Sequence, residues 1–181
     1  MKAPLLETKN ALIRLVEPNV ERDAQLGVQW LNGELGRVTM QSMGNTDEEI
    51  ESMLPTTLEK ESERVKDFLD KDDQLNWMIE YEGKVVGTVW VNLNSSQDLP
   101  GPSVHIMIGD PDMRGKGVGG STVSTVLEYL GEQGHDVIYS RHLTTNEGAD
   151  KLLKSVGFTE LGEPYPSDTL EFQNLVRKVE D

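Results

Sequence analysis

Four glycines fall within six residues, at positions 115, 117, 119 and 120, and what flanks them limits the fold more than any other feature of the chain. Before them, Val104 to Ile108 reads as a strand closed by Gly109-Asp110-Pro111-Asp112. After them, Val123, Val126, Leu127 and Leu130 recur at helical spacing until Gly131 or Gly134. A strand, a glycine-rich loop and a helix in that order form an anion-binding unit. The first N–H groups of a helix lack intrahelical partners and sit at the positive end of its dipole. Glycines let the backbone bring several of them onto phosphate oxygens. Arg114 and Lys116 add charge at the same place. The alternative is a turn that merely connects two elements. Two phosphate loops do not fit: Gly-x4-Gly-Lys-Ser/Thr is absent, and a dinucleotide fingerprint belongs in a βαβ unit near the N-terminus, whereas these glycines lie past the middle of the chain.

The loop is a cationic spot on an acidic background. Thirty-two Asp and Glu against 17 Lys and Arg give a formal net charge of −15, a field that repels nucleic acid and anionic membranes and attracts amines or basic peptides. Acidity for solubility alone is the competing explanation. No apolar run approaches the roughly 20 residues a bilayer span needs, and Met1-Lys2-Ala3-Pro4-Leu5-Leu6-Glu7 reaches an acid too soon for a signal peptide. Cysteine is absent, which excludes disulfides, thiolate nucleophiles and thiolate metal sites. Together these point to the cytoplasm.

The rest of the chain reads as one α+β domain over 1–181, without linker, repeat or low-complexity tract. Ala11 to Val16 alternates as a strand. Val20 to Leu35 is expected as a first helix, and Gly36 to Asn45 shows no firm period. Thr46 is an N-cap with Glu48 and Glu49 in the first turn of a short helix, and Pro55 separates it from a longer one over about Thr56 to Lys71. Asn76 to Tyr81 and Val85 to Leu93 form a hairpin turning at Glu82-Gly83-Lys84, and Asn94 to Pro102 is a loop. Val137 to Leu143, Gly157 to Leu161 and Leu170 to Val179 are strands, and Asn146 to Val156 is a helix.

The segment from Ile106 to Gly119, with Arg114-Gly115-Lys116-Gly117-Val118-Gly119 at its core, resembles the central Arg/Gln-x-x-Gly-x-Gly/Ala motif of the GCN5-related N-acetyltransferases (GNAT). A second stretch, Asn146-x-x-Ala149-x-x-x-Leu153-x-x-x-Gly157-Phe158, is similar to that family's Asn-x-x-Ala-x-x-x-Tyr-x-x-x-Gly-Phe segment, and Val85-Val86-Gly87 matches its hairpin. In architecture the likeness runs from about Asn10 to Glu180. It is nearest the branch of ribosomal-protein N-terminal, polyamine and aminoglycoside acetyltransferases.

The resemblance implies a mixed, mostly antiparallel sheet of 6–7 strands flanked by helices, with a splayed strand pair that binds acyl-CoA. It implies acetyl-CoA as acetyl donor, no metal, and transfer to a primary amine by direct attack on the thioester. Ile106, Met107 and Ile108 would carry the pantetheine arm, with the Ile108 backbone N–H polarising the thioester carbonyl as an oxyanion contact. Arg114, Gly115, Lys116, Gly117, Val118, Gly119, Gly120 and Ser121 would hold the pyrophosphate, and Asn146 would contact the donor across the splay. The family's tyrosine acid falls at Leu153, which has no proton to give.

An alkylammonium of pKa about 10.4 must lose a proton before it attacks. His105 is the candidate base; alternation places it on one face with Ser103 and Met107. The alternative for it is a histidine packed among sheet neighbours. His142 is the next candidate, and His135 in its turn reads as solvated. Trp30, Met40, Met43, Trp77 and Trp90 are candidates for the acceptor pocket or for plain core, and Asp47, Glu48, Glu49 and Glu51 for an amine-attracting cluster or a solvated helix face. The acceptor stays open between a small-molecule amine and a peptide N-terminus, with no nucleic acid or membrane partner, on a monomer or homodimer. A non-catalytic acyl-CoA-binding module is the alternative to an enzyme.

Overall fold

Alternating apolar residues and short turns build one mixed sheet from β1 (Leu6–Glu7), β2 (Ile13–Val16), β3 (Gln74–Tyr81), β4 (Lys84–Asn92), β5 (Ser103–Ile108), β6 (Val137–Leu143), β7 (Thr159–Ser167) and β8 (Leu170–Lys178). This is a computed structural model that describes residues 3–179. Met1, Lys2, Glu180 and Asp181, which the expected domain 1–181, the N-terminal reading and the far end of the resemblance include, lie outside the described residues. The strand order is β1-β2-β3-β4-β5-β6-β8-β7, with every neighbouring pair antiparallel except β5 and β6. Among the described residues eight strands replace the six or seven expected. β1 is two residues long, too short for a period to show, and β7 continues through Pro164 and Pro166 to Ser167. Proline has no N–H to give a ladder, and β7 tolerates two because it is an edge strand paired only with β8.

The helices are α1 (Val20–Leu31), α2 (Gly33–Ser42), α3 (Asp47–Met53), α4 (Leu58–Asp70), α5 (Val118–Glu132) and α6 (Glu147–Ser155). The single helix expected from Val20 to Leu35 is broken at Asn32–Gly33. Gly33 has φ +75°, and the Asn32 side chain exchanges two hydrogen bonds with the Thr56 backbone, at 2.8 and 3.0 Å. α2 therefore starts a new direction and carries the segment 36–42 that showed no sequence period. Thr46 caps α3 in a full capping box with Glu49, and Thr57 caps α4.

The main core lies between α5 and α6 and one sheet face, where Ile13, Leu15, Trp77, Ile79, Val89, Val91, Val123, Val126, Leu127 and Leu130 are buried together. On the opposite face a smaller cluster joins Leu31, Met40 and Ile50 to Met107, with Trp30 and Trp90 against it. The alternation of β5 thus gives Val104, Ile106 and Ile108 to the first core and His105 and Met107 to the second face.

Candidate active site

β5 and β6 are paired at one position only, Ser103 with Tyr139. The Tyr139 N–H donates to Pro102 O at 2.9 Å and Ser140 Oγ donates to Val104 O at 2.8 Å. Beyond these bonds the strands part, and α5 and α6 begin at the open end. The splay expected between β5 and its neighbour is present. A cavity of about 860 Å³ occupies it, running from the glycine-rich loop between the parted strands to a chamber against Trp90 and His105.

At the loop end a 3-10 turn (Pro111–Met113) leads into Arg114. Gly115 and Gly117 have φ of +73° and +79°, the left-handed region that a side chain would strain. Gly117 is the N-cap of α5, and no side chain caps that helix. The N–H groups of its first turn are therefore not consumed by a capping residue, while the Ser121 N–H already bonds to Gly117 O. Gly119 serves packing, because a Cβ there would stand 3.1 Å from Leu152 Cδ2 on α6. Gly109 does as well, since a Cβ there would fall 2.1 Å from the Trp30 ring. Close packing of the strand end against α1 thus fixes where the loop begins.

Of the residues expected at the donor, Ile106, Met107, Ile108, Arg114, Gly115, Gly117, Gly119, Gly120 and Asn146 line the cavity. Lys116, Val118 and Ser121 do not. Lys116 is exposed, Val118 is buried in the main core beneath the loop, and Ser121 Oγ donates to Thr8 Oγ1 at 3.1 Å. Two side chains that line it are committed to the protein itself. Arg114 donates to Ile108 O from Nε at 3.1 Å and from one terminal nitrogen at 3.0 Å, and that nitrogen also reaches Thr39 Oγ1 at 3.0 Å. Asn146 caps α6 by accepting from the Ala149 N–H at 3.1 Å and donates to Ser42 O at 2.9 Å. Both side chains fasten α2 to the loop end of the cavity.

In the chamber, His105 stacks on Trp90 with ring centroids 5.4 Å apart. Its Nε2 lies 3.1 Å from Ser103 Oγ and 3.4 Å from Asn92 Nδ2. Burial, with the nearby Arg141 charge added, lowers its pKa to about 4. The ring is neutral at pH 7, with Nε2 engaged by both neighbours. His142 is buried; its Nδ1 donates to Leu143 O at 2.7 Å, and its Nε2 stands 3.3 Å from Asp150 Oδ1 out of line for a hydrogen bond. Leu153, where the resemblance places a tyrosine, is 4% exposed and part of the main core.

Sequence reasoning misses Asn92, Arg141, Phe172, Thr39 and Lys151, all of which line the cavity. Arg141 sits on β6 with its guanidinium carbon 4.5 Å from the Phe172 ring centroid; one terminal nitrogen donates to Asp98 Oδ2 at 2.6 Å and Tyr165 Oη at 3.2 Å. Burial opposes its charge, but Tyr165 and Asp98 outweigh that and hold its pKa above the ordinary value. Its partners come from a loop and from two strands far along the chain, so no local pattern marks it.

Comparison with known proteins agrees with this frame. The model of the Acetyltransferase (GNAT) family matches residues 44–158. An uncharacterized N-acetyltransferase of Methanocaldococcus jannaschii is 27% identical over 98 residues, which are 51% of this chain and 42% of that protein, so the match spans less than half of the relative's length. Among solved structures, the ribosomal L7/L12 alpha-N-protein acetyltransferase RimL in complex with coenzyme A superposes with a TM-score of 0.79 at 12% identity, covering 97% of this chain and 98% of that one. The Vibrio cholerae spermidine N-acetyltransferase in complex with CoA and spermine does so at 0.72 and 15%, covering 93% and 96%. These likenesses show a shared fold, and with the family match over residues 44–158 they place the chain in the GNAT acetyltransferase family.

Proposed function

We propose that the protein is an acetyl-CoA-dependent N-acetyltransferase that acts on a primary amine by direct attack on the thioester. The observation that carries this is the continuity of one cavity from the uncapped N-terminus of α5, along the parted strands, to the chamber at Trp90 and His105. A phosphate-bearing donor suits the loop end, because free helix N–H groups and positive-φ glycines favour anions. Backbone groups of Ile106 to Ile108 suit an extended amide-containing arm, and the Ile108 N–H is the group we assign to the thioester carbonyl. The amine nitrogen forms the new N–C bond as the C–S bond breaks, and the thiolate leaves as a stable anion near its own pKa.

The ammonium proton must leave before the nitrogen attacks. Moving it from an alkylammonium of pKa about 10.4 to an imidazole of pKa about 4 costs about 9 kcal/mol. We therefore assign His105 a positioning role and have the amine attack already neutral, its remaining proton passing to water. Leu153, buried in the core, offers no acid; the thiolate leaves unprotonated.

Acetyl-CoA raises the melting temperature if it binds the native state, and Gly117→Glu, which sets bulk and negative charge at the helix N-terminus, abolishes the rise. A full shift in that variant overturns the donor site. Thiol release with a panel of primary amines separates an enzyme from a module that only binds the donor.

A further inference from the structure

The cations of the cavity wall are met by acids from outside the lining: Asp98 pairs with Arg141 and Glu147 with Lys151. Arg114, Arg141 and Lys151 line the cavity, and among the described residues no Asp or Glu does, in a chain with 32 of them. Arg114 and Lys151 border the glycine-rich loop and the first turns of α6, where Arg114 is held by Ile108 O and Thr39 and Lys151 pairs with Glu147. Arg141 is at the other end, in the chamber with His105, Asn92 and Phe172.

Its geometry is that of a fork held from behind. One terminal nitrogen is tied to Asp98 and Tyr165, and the plane is set over Phe172. The Nε and the second terminal nitrogen make no hydrogen bond to a described residue. Asp98 fixes the guanidinium without itself lining the cavity. A planar guanidinium with two N–H directions unused matches a carboxylate or phosphate oxyanion. The same wall is wrong for a polyamine, which needs acids along its path. The acids of α3 do not supply them: Asp47 and Glu51 are exposed and pair with Arg37, and neither lines this cavity.

We propose that Arg141 selects an acceptor that carries an oxyanion in the same small molecule as its amine, an amino-acid-like or phosphorylated amine. This rests on the acetyltransferase reading above. The amine then lies toward the parted strands, and the anion lies against Arg141 and the edge of Phe172.

The test uses the full chain and matched pairs of amines: phenylalanine against phenethylamine, lysine against cadaverine, phosphoethanolamine against ethanolamine. Specificity is read as kcat/KM from thiol release with acetyl-CoA, in wild type, Arg141→Lys and Arg141→Met. The expected result is a preference of tenfold or more for the anionic member of at least one pair, largely lost in Arg141→Met and reduced in Arg141→Lys. Carboxylate or phosphate pairs alone showing it identifies the source of the oxyanion. A preference for cadaverine or ethanolamine, or one untouched by either substitution, overturns the proposal. Thermal shifts by the same compounds on the acetyl-CoA-saturated protein give a readout independent of turnover, and no shift with any anionic amine at millimolar concentration also overturns it. Absence of any shift with acetyl-CoA itself is a different result, the failure of the donor reading. Should Arg141→Met not fold, Arg141→Lys carries the comparison, since it keeps the charge and removes the fork.

Discussion

The imidazole of His105 lies against the indole of Trp90 with the ring planes 19° apart, while its Nε2 faces Ser103 Oγ from two residues away on the same strand. This pairing holds a neutral histidine in the chamber at the end of the cavity and ties its protonation to the stability of the fold. The folded pKa of about 4 is below the ordinary 6.5. Such a group contributes stability that is complete above 6.5 and is lost as pH falls through 4, because the unfolded chain takes up the proton first. Wild type is therefore expected to lose about 3 kcal/mol relative to His105→Gln between pH 7 and pH 4. Denaturant titrations of both proteins at several pH values read this difference, and parallel pH curves would refute it.

The positioning role of the same residue has its own signature. With the amine attacking as the free base, kcat/KM rises about tenfold per pH unit below the amine's pKa, without a further inflection near the histidine's own pKa of about 4. His105→Gln lowers kcat and leaves the slope and the acetyl-CoA affinity in place. An inflection near 4, its own pKa, that disappears in the variant would restore His105 as the base.

Leu153 shows what a core position permits. Buried at 4% exposure, it is expected to cost about 2–5 kcal/mol on truncation to alanine. Leu153→Tyr overfills the space between α6 and the sheet, costs about 1–3 kcal/mol and brings no gain in turnover. Urea midpoints and thiol-release rates check both. A faster and equally stable Leu153→Tyr would mean that the cavity has room for an acid there.

Arg114 and Thr39 meet at 3.0 Å and join α2 to the end of β5. A double-mutant cycle with Arg114→Gln and Thr39→Val is expected to give a coupling of about 1 kcal/mol in stability. Additive single effects would show that the contact is idle.

At Asn146 one side chain serves two helices, as the cap of α6 and as a donor to Ser42 O on α2. Asn146→Ala should cost about 1–2 kcal/mol, and Asn146→Asp, which keeps the capping oxygen and loses the donor, less. Equal losses would assign the whole effect to the link with α2.

How far the fold and the site were legible in the sequence follows from the range of each signal. The hairpin of β3 and β4, the cap at Thr46, β6 and the α6 boundaries rest on residues within a few positions of one another, and the structure has them. The break after α1 depends on Asn32 finding Thr56, 24 residues on, and no helical period reports that. Gly115 and Gly117 of the loop were visible because positive φ selects the residue type. The commitments of Arg114 to Thr39 and of Asn146 to Ser42 were not, because they join segments 75 and 104 residues apart. Arg141 is the same case: Asp98 is 43 residues away, and a single cation in an alternating strand looks like any solvated one.

The single pairing of Ser103 with Tyr139 has a mechanical meaning. A sheet normally has two margins, both at its outside. Here β5 and β6, having met once, become two further margins that face each other within the fold, each presenting main-chain donors and acceptors that the other is too distant to use. Any extended molecule with amides along its length can serve there as a ninth strand, and by knitting the two margins together it would slow amide exchange on both sides at once.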